Sequence, residues 1–261
     1  LESDFSDSYG YKSSSYGFGY FLDYKINDFT SSSLGFEISS IKGHSASNSG
    51  DISISDNIGN FEDLALTYNI SRNSTNDKLY PSKGSINSFM LKFLPQEISD
   101  NSYLKLNFNN SLYFNKNNDR NFFFLTNKVG YAESFKGNLK TNSSFSLGGL
   151  SFKGYDYKGI GPKSSNNIYL GGNKFFTSTI GYGTNFLFDE KDNINLKFFT
   201  TFGSLWDSDY IDSDFEIRSS AGVSIDILTA IAPISLSYAI PISKQSSDLT
   251  REVNFSIGTS F

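Results

Sequence analysis

The chain has no cysteine, one histidine, one tryptophan, one methionine and five prolines among 261 residues. Without a thiol it has neither a thiolate metal site nor a thiol nucleophile. The single histidine, His44, falls in the Ser/Gly/Asn/Asp-rich stretch 42–60, which reads as a loop. A hydrolytic triad would need that imidazole beside a serine and a carboxylate, and a solvated loop residue is the simpler expectation. Ser146-Leu147-Gly148-Gly149 and Gly159-Ile160-Gly161-Pro162 are not followed by a helical pattern, so they are not phosphate loops. No enzyme activity, cofactor or metal site is expected. No run of about 18 apolar residues exists, which excludes a helical membrane span. A net charge of -5 argues against a nucleic-acid partner. Neither an initiator methionine nor a basic region with an apolar run opens the chain, so a mature fragment or an excised domain is expected.

What is abundant is aromatic. Phenylalanine and tyrosine number 26 and 16, although the mean hydropathy is only -0.33. A β-barrel in a membrane combines these properties, because only alternate residues meet lipid and aromatics gather at the interfaces. A soluble β-sandwich with a Phe-rich core is the alternative that composition leaves open. The pattern at the carboxyl end favours the barrel. Val253, Phe255, Ile257, Thr259 and Phe261 fall on one face of a strand, and Asn254, Ser256, Gly258 and Ser260 on the other. Val253, Phe255, Ile257 and Phe261 together read as a terminal-strand signal.

The same alternation recurs along the chain. Strands are predicted at 15–24, 31–41, 64–70, 85–94, 103–114, 121–132, 142–149, 173–188, 193–205, 216–227, 233–240 and 253–261, with 1–14 left as loop. The clearest is 103–114, where Leu104, Leu106, Phe108, Leu112 and Phe114 oppose Lys105, Asn107, Asn109 and Ser111. A lysine and asparagines are costly toward lipid, so that face should line a lumen. By length, 95–101 reads as a short turn inside the periplasm and 115–119 as a loop outside. Trp206 reads as an interfacial girdle residue. The fold class expected is all-β: one antiparallel transmembrane β-barrel domain over 1–261, with about twelve strands.

Four stretches carry a resemblance to a family. They are Gly148–Asn173, containing Phe152-Lys153-Gly154-Tyr155 and Ile160-Gly161-Pro162-Lys163; Tyr80-Pro81-Ser82-Lys83-Gly84-Ser85; Phe202-Gly203-Ser204-Leu205-Trp206-Asp207; and the segment from Pro233 to Pro241. In this order they resemble the BamA family of outer-membrane protein assembly factors, in the bacterial surface antigen superfamily. The resemblance implies a sixteen-stranded barrel preceded by periplasmic POTRA domains, of which this chain would be the C-terminal part. A reduced relative is the alternative. It also implies a location in the bacterial outer membrane and insertion of β-barrel proteins there by lateral opening of the barrel seam. The implied partners are unfolded outer-membrane proteins as clients, accessory lipoproteins of the assembly complex, lipid and lipopolysaccharide.

One departure from the family is chemical. The family tetrad has an arginine held by acidic side chains on the inner wall, and here the matching positions are Lys153, Gly181 and Thr201. Lys153 is expected to turn inward and bond Thr201, a luminal carbonyl or Asp226, although an exposed loop lysine is the alternative. A related translocation or secretion pore, of the TamA or FhaC type, and a passive porin remain as other functions.

Overall fold

A computed structural model describes residues 2–5, 11–45, 51–115, 121–184, 194–229 and 231–258. Its strands are β1 (Glu2–Phe5), β2 (Tyr11–Asn27), β3 (Thr30–Ser45), β4 (Gly59–Asn73), β5 (Gly84–Phe93), β6 (Tyr103–Phe114), β7 (Asn121–Ser134), β8 (Gly154–Tyr155), β9 (Lys174–Thr184), β10 (Ile194–Trp206), β11 (Arg218–Leu228), β12 (Pro233–Ser243), β13 (Thr250–Arg251) and β14 (Val253–Ile257). Twelve form one sheet, in the order β1-β2-β3-β4-β5-β6-β7-β9-β10-β11-β12-β14, and every neighbouring pair is antiparallel. The remaining two, β8 and β13, pair with each other. A single turn of helix, α1 (Ile52–Ser55), starts at Asp51, whose carboxylate accepts the Ser53 N–H at 3.1 Å. Among the described residues no helix is long and apolar enough to cross a membrane, which says nothing against crossing by strands.

The expected number of wall strands holds, but one member changes. Residues 142–149 are not in the wall; β1, in the stretch expected to be loop, is the twelfth strand. The alternation in 142–149 reports a segment half-buried against the wall. Phe145 packs on Phe175 at 4.8 Å between ring centroids, and Leu147 makes an isolated bridge to Ile160. His44, expected in a loop, lies exposed near the end of β3.

The sheet is inside-out relative to a soluble protein. On β6, Phe108 and Phe114 are 45% and 56% exposed, while Lys105 and Asn107 line an inner cavity of about 540 Å³ with Lys92, Lys128 and Glu37. Large apolar side chains cover the outer face from Phe18 and Leu34 to Phe198 and Phe255. One polar row crosses it. Asn110 donates to Asn87 at 2.7 Å, Asn127 donates to Asn110 at 3.3 Å, and Ser178 donates to Asn127 at 2.8 Å. Mutual pairing removes much of the cost of turning amides toward an apolar solvent.

Antiparallel order decides which connections share an end. Connections 94–102, 135–173, 207–217 and 244–252 lie at one end, and 74–83, 115–120 and 229–232 join strands at the other. The turn at 95–101 therefore sits with the long 135–173 connection, against the length-based expectation, while 116–119 of the expected loop 115–119 lie outside the described residues. The 94–102 turn is short because it is tied down: Asn101 donates twice to Asp63, at 2.8 and 2.7 Å, and Ser99 bonds both backbone groups of Leu64.

The buried apolar cluster lies on the inner face. It combines wall residues Tyr11, Tyr103, Phe175 and Leu205 with Phe145, Phe152, Tyr155, Ile160 and Tyr169 of the long connection. Because 135–173 touches β2, β6, β9, β10, β11 and β12, the sheet must curl around it. Among the described residues no ladder joins β1 or β2 to β14, so the curled sheet has two edges.

Candidate functional site: the inward loop and the seam

The 135–173 connection enters the curled sheet and is fixed at three places. Near its start, Lys105 of β6 donates to the carbonyls of Ser143 at 2.6 Å and Ser144 at 3.3 Å, with its ammonium 4.3 Å from the centre of the Phe145 ring. Tyr11 of β2 shares a hydrogen bond with Thr141 at 3.3 Å. Further on, the Phe152 to Tyr155 tetrad packs against β10, β11 and β12.

Phe152 is 1% exposed and stacks edge-on against Tyr155 at 5.1 Å. Gly154 has φ +96°, a region that L side chains avoid, and a Cβ there would lie 3.0 Å from the Ser220 Cβ and 3.5 Å from the Ala239 carbonyl oxygen. Glycine is thus required by both conformation and space. The Tyr155 hydroxyl donates to the carbonyls of Ser219, at 3.3 Å, and Ser243. Burial, with a contribution from Asp248, pushes its ionisation up to about 12.

Ile160 is fully buried and bonds Leu147. Gly161 has φ +125° and lies where a Cβ would meet Leu205 of β10 at 2.6 Å. The carbonyl of Pro162 accepts from Leu170 at 3.0 Å, and Lys163 donates to the carbonyl of Ser247 at 2.6 Å.

Lys153 is half-buried, with its ammonium 5.1 Å from the centre of the Phe199 ring. Among the described residues it makes no hydrogen bond or ion pair. Burial depresses its ionisation, Asp226 opposing that shift and Lys197 adding to it. Asp226 is engaged elsewhere, with Lys197 at 2.7 Å and Ser235 at 2.6 Å. Thr201, one inward position along β10 from Phe199, shares a hydrogen bond with Thr179 at 2.9 Å. Gly181 faces inward beneath the Phe124 ring, which passes 2.3 Å from where its Cβ would be. An acid could not occupy position 181 unless that ring moved. A cation over an aromatic face contributes about 0.5–2 kcal/mol and sets no fixed geometry of the kind a guanidinium–carboxylate fork gives.

The tetrad also meets the last strand. Gly154 and Tyr155 pair with Arg251 and Thr250, directly before β14. Asp156 N–H donates to Leu249 O at 2.9 Å, Leu249 N–H to Gly159 O at 3.0 Å, and Arg251 pairs with the Asp156 carboxylate at 3.2 Å. On β14, Val253, Phe255 and Ile257 face outward with 56%, 59% and 66% exposure, while Asn254 is buried inward. Phe261 lies outside the described residues. Sequence reasoning placed Lys105 toward the lumen but not as a holder of the inward loop, and it missed the buried pair of Arg218 and Asp248, 3.1 Å apart. A signal existed for the arginine alone, one of four in the chain and opening a strand rich in Ser, Ala and Gly. Trp206 packs edge-on against Phe215 at 4.8 Å, and Phe215 stacks on Phe176.

The family model described as the Omp85 superfamily domain matches residues 2–261. The chain belongs to the Omp85 superfamily. It is 25% identical over 236 residues to the outer membrane protein assembly factor BamA of Neisseria meningitidis serogroup B, an alignment covering 73% of this chain and 28% of that protein. The chain therefore spans less than a third of that relative's length. Among solved structures it is similar to BamA from Haemophilus ducreyi lacking POTRA domains 1–3, with a TM-score of 0.83 at 21% identity over 94% of this chain and 54% of the other. It is also similar to CdiB from Acinetobacter baumannii, with a TM-score of 0.59 at 13% identity over 95% of this chain and 42% of the other. The sheet thus follows the barrel wall of this superfamily, and these two likenesses speak to fold alone.

Proposed function

We propose that this chain is the C-terminal barrel wall of an outer-membrane protein assembly factor, which inserts β-barrel clients through a seam bordered by β14. The observation that carries the reading is the junction of tetrad and terminal strand: β8 pairs with β13 immediately before β14, whose far edge has no partner strand among the described residues. An unpaired edge is a template for β-augmentation, in which a client strand satisfies its backbone groups on the edge before entering lipid. The four sequence stretches and the 25% identity to BamA support this reading. The rest of the protein would supply the first barrel strands and the periplasmic POTRA domains. In this role residues Phe152 to Tyr155 and Ile160 to Lys163 hold the lumen closed beside the seam, and Val253, Phe255 and Ile257 set the terminal strand against lipid. Clients would be unfolded outer-membrane proteins, with accessory lipoproteins, lipid and lipopolysaccharide as further partners.

A translocation pore of the same superfamily is the second reading, since membership of the Omp85 superfamily does not by itself separate the two roles. Depletion of the protein in its own bacterium separates the two. The assembly role requires many folded barrel proteins to fall together in outer-membrane fractions. Normal barrel levels with loss of one secreted protein from the medium would instead establish the pore.

A further inference from the structure

The family resemblance implies a fork between the tetrad arginine and wall acids, and this chain lacks it at positions 153, 181 and 201. A fork of the same chemistry stands elsewhere. Arg218, at the start of β11, is 5% exposed, and Asp248, in the connection before β13, is 9% exposed. Arg218 Nε lies 3.1 Å from one Asp248 carboxylate oxygen and a terminal guanidinium nitrogen 3.3 Å from the other. Asp248 also accepts the Gln245 N–H at 2.7 Å, and Arg218 donates to the Glu216 carbonyl at 3.0 Å. Both buried charges are therefore matched, and each makes one further hydrogen bond to the backbone.

We infer that the Arg218–Asp248 fork is the positioning pair for the inward loop, holding the tetrad strand β8 in place through β13 rather than through Lys153. The connection is continuous. Asp248 is followed by Leu249, which exchanges backbone bonds with Asp156 and Gly159, and then by Thr250 and Arg251, which pair with Tyr155 and Gly154. From the other side, Arg218 is two residues from Ser220, the side chain on which Gly154 closes, and is followed by Ser219, whose carbonyl takes the Tyr155 hydroxyl. One carboxylate thus fixes the segment that gives the tetrad its backbone partners, and the arginine fixes it to the strand on which the tetrad rests. Among the described residues Lys153 pairs only with the Phe199 ring and makes no hydrogen bond or ion pair. A planar fork sets position and angle together, which a single ammonium over a ring does not.

The inference rests on the assembly reading only for its consequence in cells; the geometry is tested separately. In the protein folded into lipid nanodiscs, hydrogen exchange of peptides covering 153–160 is compared with that of β6 and β7 in Asp248→Asn, Arg218→Lys and Lys153→Met. Asp248→Asn and Arg218→Lys are expected to speed exchange in 153–160 at least tenfold, with β6 and β7 unchanged, and Lys153→Met to change it less than threefold. Folding is scored by heat-modifiable migration. If Asp248→Asn does not fold, Arg218→Lys, which keeps the charge and loses the fork, decides alone. Wild-type protection in the folded fork variants, or loosening in Lys153→Met as large as theirs, overturns the inference. Loss of protection with undiminished barrel assembly would leave the fork standing and count against the functional reading.

Discussion

Replacing Phe108 by arginine sets the outer-face assignment against its alternative most sharply. Leu104 to Phe114 are ten steps along β6, roughly 34 Å at about 3.4 Å per residue. At a tilt near 40° that is ~26 Å along the membrane normal, close to the ~25 Å apolar band of such barrels. Phe108 falls near the middle of that span, with 45% exposure. An arginine there should cost about 2–4 kcal/mol, falling to about 0–1 kcal/mol for Leu104→Arg and Phe114→Arg at the rims. Asn107, the next residue, faces the luminal cavity beside Lys105 and Lys128. Asn107→Arg adds a like charge in a watery space and should cost about 1 kcal/mol or less. Urea-dependent folding into lipid vesicles, followed by heat-modifiable migration, measures all four. The reasoning fails if Asn107→Arg is as damaging as Phe108→Arg, or if the cost does not peak between the rims.

Three further outcomes follow from individual contacts. Gly154→Ala should cost about 1–2 kcal/mol from the positive φ alone, with added crowding against Ser220, and should speed proteolytic cleavage in 150–160; unchanged cleavage would remove the close approach from the account. Asn110→Leu strands Asn87 and Asn127 on the apolar face and should destabilise by about 1–3 kcal/mol, whereas apolar replacement of the whole row Asn87, Asn110, Asn127 and Ser178 should be close to neutral; a neutral single change in vesicle folding would show that the row does not face lipid. Tyr155 ionises near 12 in the folded protein against about 10 unfolded. Its raised value makes the neutral form the native one, so its contribution is whole below pH ~10 and lost between about 10 and 12. Hydrogen exchange in 153–160, corrected for the intrinsic rate, should therefore rise across that window more in the parent than in Tyr155→Phe, and equal rises would contradict the assignment.

The sequence showed the wall wherever one side chain in two had to be apolar, as in 103–114 and 253–257. It misled where alternation had another cause. Residues 142–149 alternate because Phe145 and Leu147 are buried against the wall and the loop while Asn142 and Ser146 are exposed, and no local pattern tells that environment from a ladder. Turn length misplaced 95–101, since the side on which a turn lies follows from strand parity and not from its size. The tetrad and the Ile160 to Lys163 run were legible as motifs, and their unusual φ angles explain the glycines at 154 and 161. That positions 181 and 201 offer Lys153 no carboxylate was also legible, whereas Asp226, expected as a possible partner, is paired with Lys197 instead. The fork that stands elsewhere was not legible, because nothing local links Arg218 to a residue thirty positions away. The outer asparagine row was hidden for the same reason, as each amide is acceptable only through partners on neighbouring strands.

The central claim, that β14 presents a working edge to clients, is tested by site-specific disulfide capture during assembly. Residues 1–261 contain no cysteine, so an introduced thiol is the only one among them. A barrel client stalled in mid-assembly, carrying one cysteine near its terminal strand, should cross-link to Ser256→Cys on β14 and not to Ser111→Cys in the middle of the wall on β6. Equal capture at the two positions, or none at Ser256→Cys in protein that is folded in the outer membrane, would contradict the account.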